Sequence, residues 1–221
     1  MTQSQFSSQT LSVRQQALVT IAAFGAAGDL TRLGAALNHG LDDGLTVNEA
    51  KEVLLQLYAY AGFPRSLNAL GELMKVVNAR KQRGLQDAYG QTPSRAIPKG
   101  DALLAAGTAN QTKLVGSPVR GALFEFAPGA DEFLKTHLFG DIFERNNLDW
   151  QSRELSTVGM LSVLQGADSQ LQSHIGFSMN VGITASQLRQ LVQVLADRVD
   201  AEAARRTKEA LSAHLATTTD N

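Results

Sequence analysis

The chain carries an internal repeat. Leu11-x6-Leu18-x-Thr20-Ile21 returns as Leu148-x6-Leu155-x-Thr157-Val158, a shift of 137 residues. Leu33-x3-Leu37-x6-Gly44-Leu45-Thr46 then returns as Leu171-x3-Ile175-x6-Gly182-Ile183-Thr184, a shift of 138. One residue is therefore inserted between the two blocks. A unit this long is a duplicated group of helices, too large for one turn of a solenoid. Its two copies differ at the chemically interesting positions, and those differences point to where a site lies.

The pattern between breaks has helical periodicity almost throughout, and no segment shows the alternation of a strand, so the chain reads as all-α. Residues 12–24 place Val13, Ala17, Ile21 and Phe24 on one face, ending at Gly25 and Gly28. Asp29 can cap a second helix carrying Leu30, Leu33 and Leu37. Thr46-Val-Asn-Glu49 is a capping box that opens a third helix. Pro64 suits the first turn of a fourth, which runs through Leu67, Leu70, Met74 and Val77. Arg80-Lys-Gln-Arg83 then reads as its solvated, dipole-favoured end.

Residues 84–100 hold Gly84, Gly90, Pro93, Pro98 and Gly100 and form the clearest linker. Helices are expected over 101–114, 131–145, 149–164 and 168–181. Thr184-x-x-Gln187 is the second capping box, and a last helix is expected to run from Ala185 towards His214 before a polar tail. This gives a first unit over 1–84, a linker and extension over 85–130, and a second unit over 131–221.

A formal net charge of −1 gives no electrostatic case for nucleic acid or an anionic membrane. Cysteine is absent, which excludes thiolate nucleophiles, dithiol redox chemistry and zinc–thiolate sites. Leu18 to Ala27, after Arg14, has the look of a leader core. Its counterpart Leu155 to Leu164 lies mid-chain, so it reads as helix, and the expected location is the cytoplasm. No apolar run approaches the roughly 20 residues of a membrane span.

Several motifs together carry a resemblance. The first unit holds Ala35-Ala36-Leu37, Gly44-x-Thr46-x-x-Glu49, Glu52-Val-Leu-Leu-Gln56 and Tyr60-Ala-Gly-Phe-Pro64. The second holds Gly140-Asp-Ile-Phe-x-Arg145-x-x-Leu148-Asp149-x3-Arg153-x-Leu155, followed by His174 and Asn180-x-Gly182-x-Thr184. In order and spacing these resemble the carboxymuconolactone decarboxylase family, as two tandem units over roughly 11–78 and 101–197. The resemblance implies the alkyl hydroperoxidase D-like helical fold.

The hydroperoxidase branch of that superfamily carries C-x-x-C-x3-H. Counting back from His174 gives Ala167 and Gln170; the first copy has Asp29 and Arg32, with Ala36 at the histidine position. Without cysteine, thiol peroxidase chemistry is excluded. What remains resembles the cofactor-free decarboxylase branch, acting on a small lactone or carboxylic acid.

The resemblance implies a site of His174, Arg145, Arg153 and Asp141, with Tyr60, Phe63 and Trp150 around the substrate. An arginine fork can hold a carboxylate, a histidine near neutral pKa can deliver a proton to carbon, and Asp141 can orient either. Each residue also has an ordinary reading: Asp141 and Arg145 as an i,i+4 surface pair, Arg153 as an interface ion pair, His174 as a packed core histidine. His39 reads as a polar residue near a helix end. His137 and His214 fall in no motif, and no His/Asp/Glu cluster has metal-ligand spacing.

The second copy lacks Tyr-x-Gly-x-Pro, because the shift takes Tyr60 to Arg198; the first lacks the histidine. A composite pocket is therefore expected. Two classes stay open: a cofactor-free lyase resembling gamma-carboxymuconolactone decarboxylase, and a non-catalytic helical assembly protein retaining the fold only. Single-unit relatives form hexameric rings, so a fused pair is expected to make a homotrimer.

Overall fold

The computed structural model describes residues 9–219. The end of the expected polar tail, residues 220–221, lies outside them. The described residues form eleven α-helices and one π-helical segment, with no strand. The long helix of the first copy is α1 (Val13–Ala27), followed by α2 (Leu30–Asp42), α3 (Val47–Gln56) and α4 (Tyr58–Gln82). Next come α5 (Asp101–Val115), the short α6 (Ala122–Phe126) and α7 (Pro128–Phe133), and the π-helix Leu134–Ile142. The second copy is α8 (Trp150–Val163), α9 (Asp168–Asn180), α10 (Ala185–Arg198) and α11 (Ala201–Thr219).

Both capping boxes form. Thr46 and Glu49 satisfy each other's backbone amides at the start of α3, as Thr184 and Gln187 do at the start of α10. Each such cap stabilises by about 1 kcal/mol. The linker adds to the first: the Ala88 and Tyr89 carbonyls accept from the Val47 and Asn48 amides at 3.0 and 2.9 Å. Free N–H groups at the head of α3 are thus met by chain that carries no helix of its own.

Helices α1 and α8 pack along each other at the centre and are buried on nearly every face. Their contact is close at Gly159, where a Cβ would stand 2.7 Å from the Val19 carbonyl oxygen. One large core surrounds this pair, and a smaller one gathers Leu114, Leu138, Phe139, Ile142 and Phe143 beneath α5 and the π-helix. No helix among the described residues is long and apolar enough to cross a membrane.

Three expectations need correction. First, α4 turns at Gly62, whose φ of 81° only glycine adopts readily, so Pro64 does stand in a first turn. The buried face, however, is Ser66, Ala69, Leu73, Val76 and Arg80, while Leu67 and Met74 are each 62% exposed. Second, Arg80 is no solvated helix end. Its guanidinium is buried and donates to Asp87 at 2.8–3.0 Å and to Asp42 at 2.8 Å, neutralising its charge within the fold. Third, the last helix is two. The chain breaks at Val199, and the Asp200 carboxylate takes the Ala203 amide at 2.7 Å to start α11.

The expected helix over 131–145 is also subdivided: α7 passes into the π-helix, which ends at Ile142. Asp141 Oδ2 lies 2.9 Å from Nδ1 of His137, four residues earlier on the same helix, whereas the helix ends before Arg145. Asp141 therefore pairs backwards with His137, and the anticipated Asp141–Arg145 pair does not form.

Candidate functional site

Helix α8 begins at Asp149, whose carboxylate accepts from the Ser152 amide and hydroxyl at 2.8 and 2.9 Å. Its buried interior is unusually polar: Ser152, Arg153, Glu154, Ser156, Thr157 and Ser162. The Ser156, Thr157 and Ser162 hydroxyls return to carbonyls of their own helix. Arg153 and Glu154 cannot do so, and each recruits a partner from elsewhere.

Arg153 is fully buried. It donates to Gln56 Oε1 at 3.0 Å, to Glu52 Oε1 at 3.0 Å and to the Arg145 carbonyl at 2.8 Å. Arg145 forks onto the same Glu52 carboxylate, Nε to Oε1 at 2.7 Å and Nη2 to Oε2 at 3.0 Å, and Asn147 donates at 3.1 Å. Burial alone would raise the Glu52 carboxyl; hydrogen bonds from Arg145 and the charge of Arg153 outweigh it and hold the pKa below its ordinary value. Burial pulls the Arg153 pKa down and Glu52 opposes it. Both arginines are thus committed to Glu52, locking α3 to the start of α8.

Glu154 points elsewhere. Its Oε2 lies 2.7 Å from Nδ1 of His174 on α9, and both side chains are buried. Oε1 of Glu154 has no hydrogen-bond partner among the described residues, nor has Ser178 Oγ one turn beyond His174. The His174 ring is held edge-on by Phe177 at 5.0 Å and Tyr60 at 5.7 Å between centroids. The Tyr60 hydroxyl is also buried without an acceptor. Burial, with the nearby Glu154 charge, pushes the phenol above its ordinary pKa, so it stays a neutral donor.

Of the residues singled out in the sequence, His174 and Tyr60 are brought together, and Arg145 meets Arg153 through Glu52. Phe63 is 61% exposed and stacks on Tyr58 at 4.5 Å. Trp150 packs edge-on to Phe143 at 5.3 Å, with the Lys113 ammonium 4.3 Å from its ring centroid. Asp141 sits half-exposed on the π-helix with His137.

Sequence reasoning missed Glu154 as a site residue. The repeat held the signal: the shift that takes His174 to Ala36 has its companion in the shift from Glu154 to Ala17. The two polar residues are absent from the first copy together, as expected of a pair that works together.

The family model for the carboxymuconolactone decarboxylase family matches residues 1–74 and 128–213, well over half of the chain. No curated protein matches it.

Proposed function

We propose, for a chain that belongs to the carboxymuconolactone decarboxylase family, a cofactor-independent enzyme that moves a proton on a small lactone or carboxylic acid. His174 is the group that carries the proton. The observation behind this reading is the buried His174–Glu154 pair. With Nδ1–H donated to Glu154, Nε2 is left as the working nitrogen, and the carboxylate stabilises the imidazolium when it forms.

The family chemistry can be written through these groups. Decarboxylation of an unsaturated lactone acid breaks the bond to the carboxylate and releases carbon dioxide. The bond's electron pair spreads to the ring carbonyl oxygen as an enolate. A donor at that oxygen stabilises the developing charge, and the neutral Tyr60 hydroxyl, free of any acceptor, is suited to it. A proton that Nε2 of His174 has taken up from solvent is delivered to carbon, so the enolate becomes the decarboxylated lactone and the imidazole returns to its neutral form. Arg145 and Arg153 enter this reading as positioning residues, since Glu52 already occupies them.

A helical assembly protein without turnover is the second reading. It is favoured by the depth of His174, only 7% exposed, and by the lack of an arginine bonded to it among the described residues. The same family reading carries a homotrimer, supported by Phe63, Leu67 and Met74 standing exposed along one side of α4.

The test is a panel of unsaturated lactone acids followed by ring absorbance, with wild type and His174→Ala. Turnover by wild type and its loss in the variant support the enzyme. Equal turnover by both removes His174 from the mechanism, and no turnover of any substrate by wild type supports the assembly reading.

A further inference from the structure

The first copy contains a cavity of about 460 Å³. Ala17, Thr20, Ala36, His39 and Arg198 line it. The repeat maps these residues onto Glu154, Thr157, His174 and Phe177, while Arg198 is the counterpart of Tyr60. The cavity is therefore the place that Glu154 and His174 fill in the second copy. Replacing a glutamate and a histidine by two alanines has left space that the surrounding helices do not close.

Its chemistry differs from that of the His174 site. Ala17, Ala35 and Ala36 give an apolar floor, and the Arg32 guanidinium lies over the Phe24 ring, 4.8 Å from its centroid. Arg32, Arg198 and Asp43 stand on the wall, and Asp29 forms an ion pair with Arg32 at 2.6 Å. Arg32 gives Nε to Asp29 and Nη1 to the Val199 carbonyl, which fixes the guanidinium and leaves Nη2 without a partner. Arg198 donates only to Gln16, at 3.1 Å, and has no carboxylate partner among the described residues. An apolar floor beneath a guanidinium in need of an anion is a binding site for an organic acid.

We propose that this vacated counterpart site binds a small aromatic or cyclic monocarboxylate, its ring against the alanines and its carboxylate on Arg198 and the free Nη2 of Arg32. With alanine at both reactive positions the site binds and does not turn over. The proposal is independent of activity at His174. Arg198, the one lining cation without a carboxylate partner among the described residues, suits a monocarboxylate better than a dianion such as phosphate, and the cavity volume accommodates one ring.

Benzoate is the probe, titrated into the full-length protein by calorimetry, with benzamide and inorganic phosphate as comparators. Saturable benzoate binding, with benzamide about tenfold weaker, is expected from the loss of a charge-assisted contact. Arg198→Gln should weaken benzoate by about tenfold, and because this side chain is exposed the fold is retained. Ala36→Phe should abolish binding by filling the floor, whereas His174→Ala should leave it unchanged. Benzoate binding that survives both Arg198→Gln and Ala36→Phe overturns the proposal, as does loss in His174→Ala alone. Absence of saturable binding by wild type overturns it too. Should Ala36→Phe fail to fold, Arg32→Gln takes its place, with the same weakening expected.

Discussion

Glu154 Oε2 and His174 Nδ1 meet at 2.7 Å in a place where both side chains are buried. A carboxylate there has one function besides ion pairing: it fixes which nitrogen of the ring bears the proton. Glu154→Gln keeps the shape but offers the ring an N–H as well as an oxygen, so the position of the ring proton is no longer fixed. Turnover of a lactone acid should fall by about 10²–10⁴-fold, with the circular dichroism spectrum unchanged. A variant as active as wild type would reduce Glu154 to a packing residue.

The Glu52 cluster should govern stability rather than chemistry. Glu52→Gln leaves Arg153 buried without its counter-charge, a loss of about 3–5 kcal/mol in urea unfolding at neutral pH. A change below 1 kcal/mol would show that the network is dispensable.

The same carboxylate sets an acid limit. Its native pKa lies below the ordinary 4.5, so at that position the unfolded chain takes up a proton before the native one does. Its contribution is complete above pH 4.5 and declines as pH falls from there through the native pKa. Urea midpoints measured from pH 7 down to pH 3 should drop more steeply for wild type than for Glu52→Gln. Parallel curves would contradict this.

Gly159 tests the central helix pair. Gly159→Ala places a methyl 2.7 Å from a backbone oxygen that cannot move alone, so α1 and α8 must separate, at a cost of about 1–3 kcal/mol. The control is Gly71→Ala on α4, where a Cβ meets nothing within 4 Å; it should be neutral or stabilising by up to about 1 kcal/mol. Thermal melts of both variants read the difference, and equal melting would deny the close contact.

The exposed side of α4 tests assembly. Light scattering should give the mass of three chains for wild type and a smaller mass for Leu67→Glu combined with Met74→Glu. A stable wild-type monomer would end the trimer proposal.

Much of the scaffold was legible because helix ends are written locally. Thr46 and Glu49, or Thr184 and Gln187, need only their own four residues to form a capping box. The buried face of α4 was not legible. Phe63, Leu67 and Met74 face outward, and the face against the core mixes Leu73 and Val76 with Ser66, Ala69 and a paired Arg80, so its periodicity is weak. For the site, His174 and Tyr60 came from motif spacing. The commitment of Arg145 and Arg153 did not, because it depends on Glu52 arriving from another helix roughly a hundred positions away. Asp141 was misdirected by assuming that the helix continues to Arg145; it ends at Ile142, and the i,i+4 neighbour left to Asp141 is His137.

Tyr60 belongs to the first copy and walls the second copy's histidine, while Arg198 belongs to the second and walls the first copy's cavity. Exchanging either half for that of a relative would thus alter both interiors at once, one through its own floor and the other through its borrowed wall. A substitution in one copy therefore acts partly in the interior of the other.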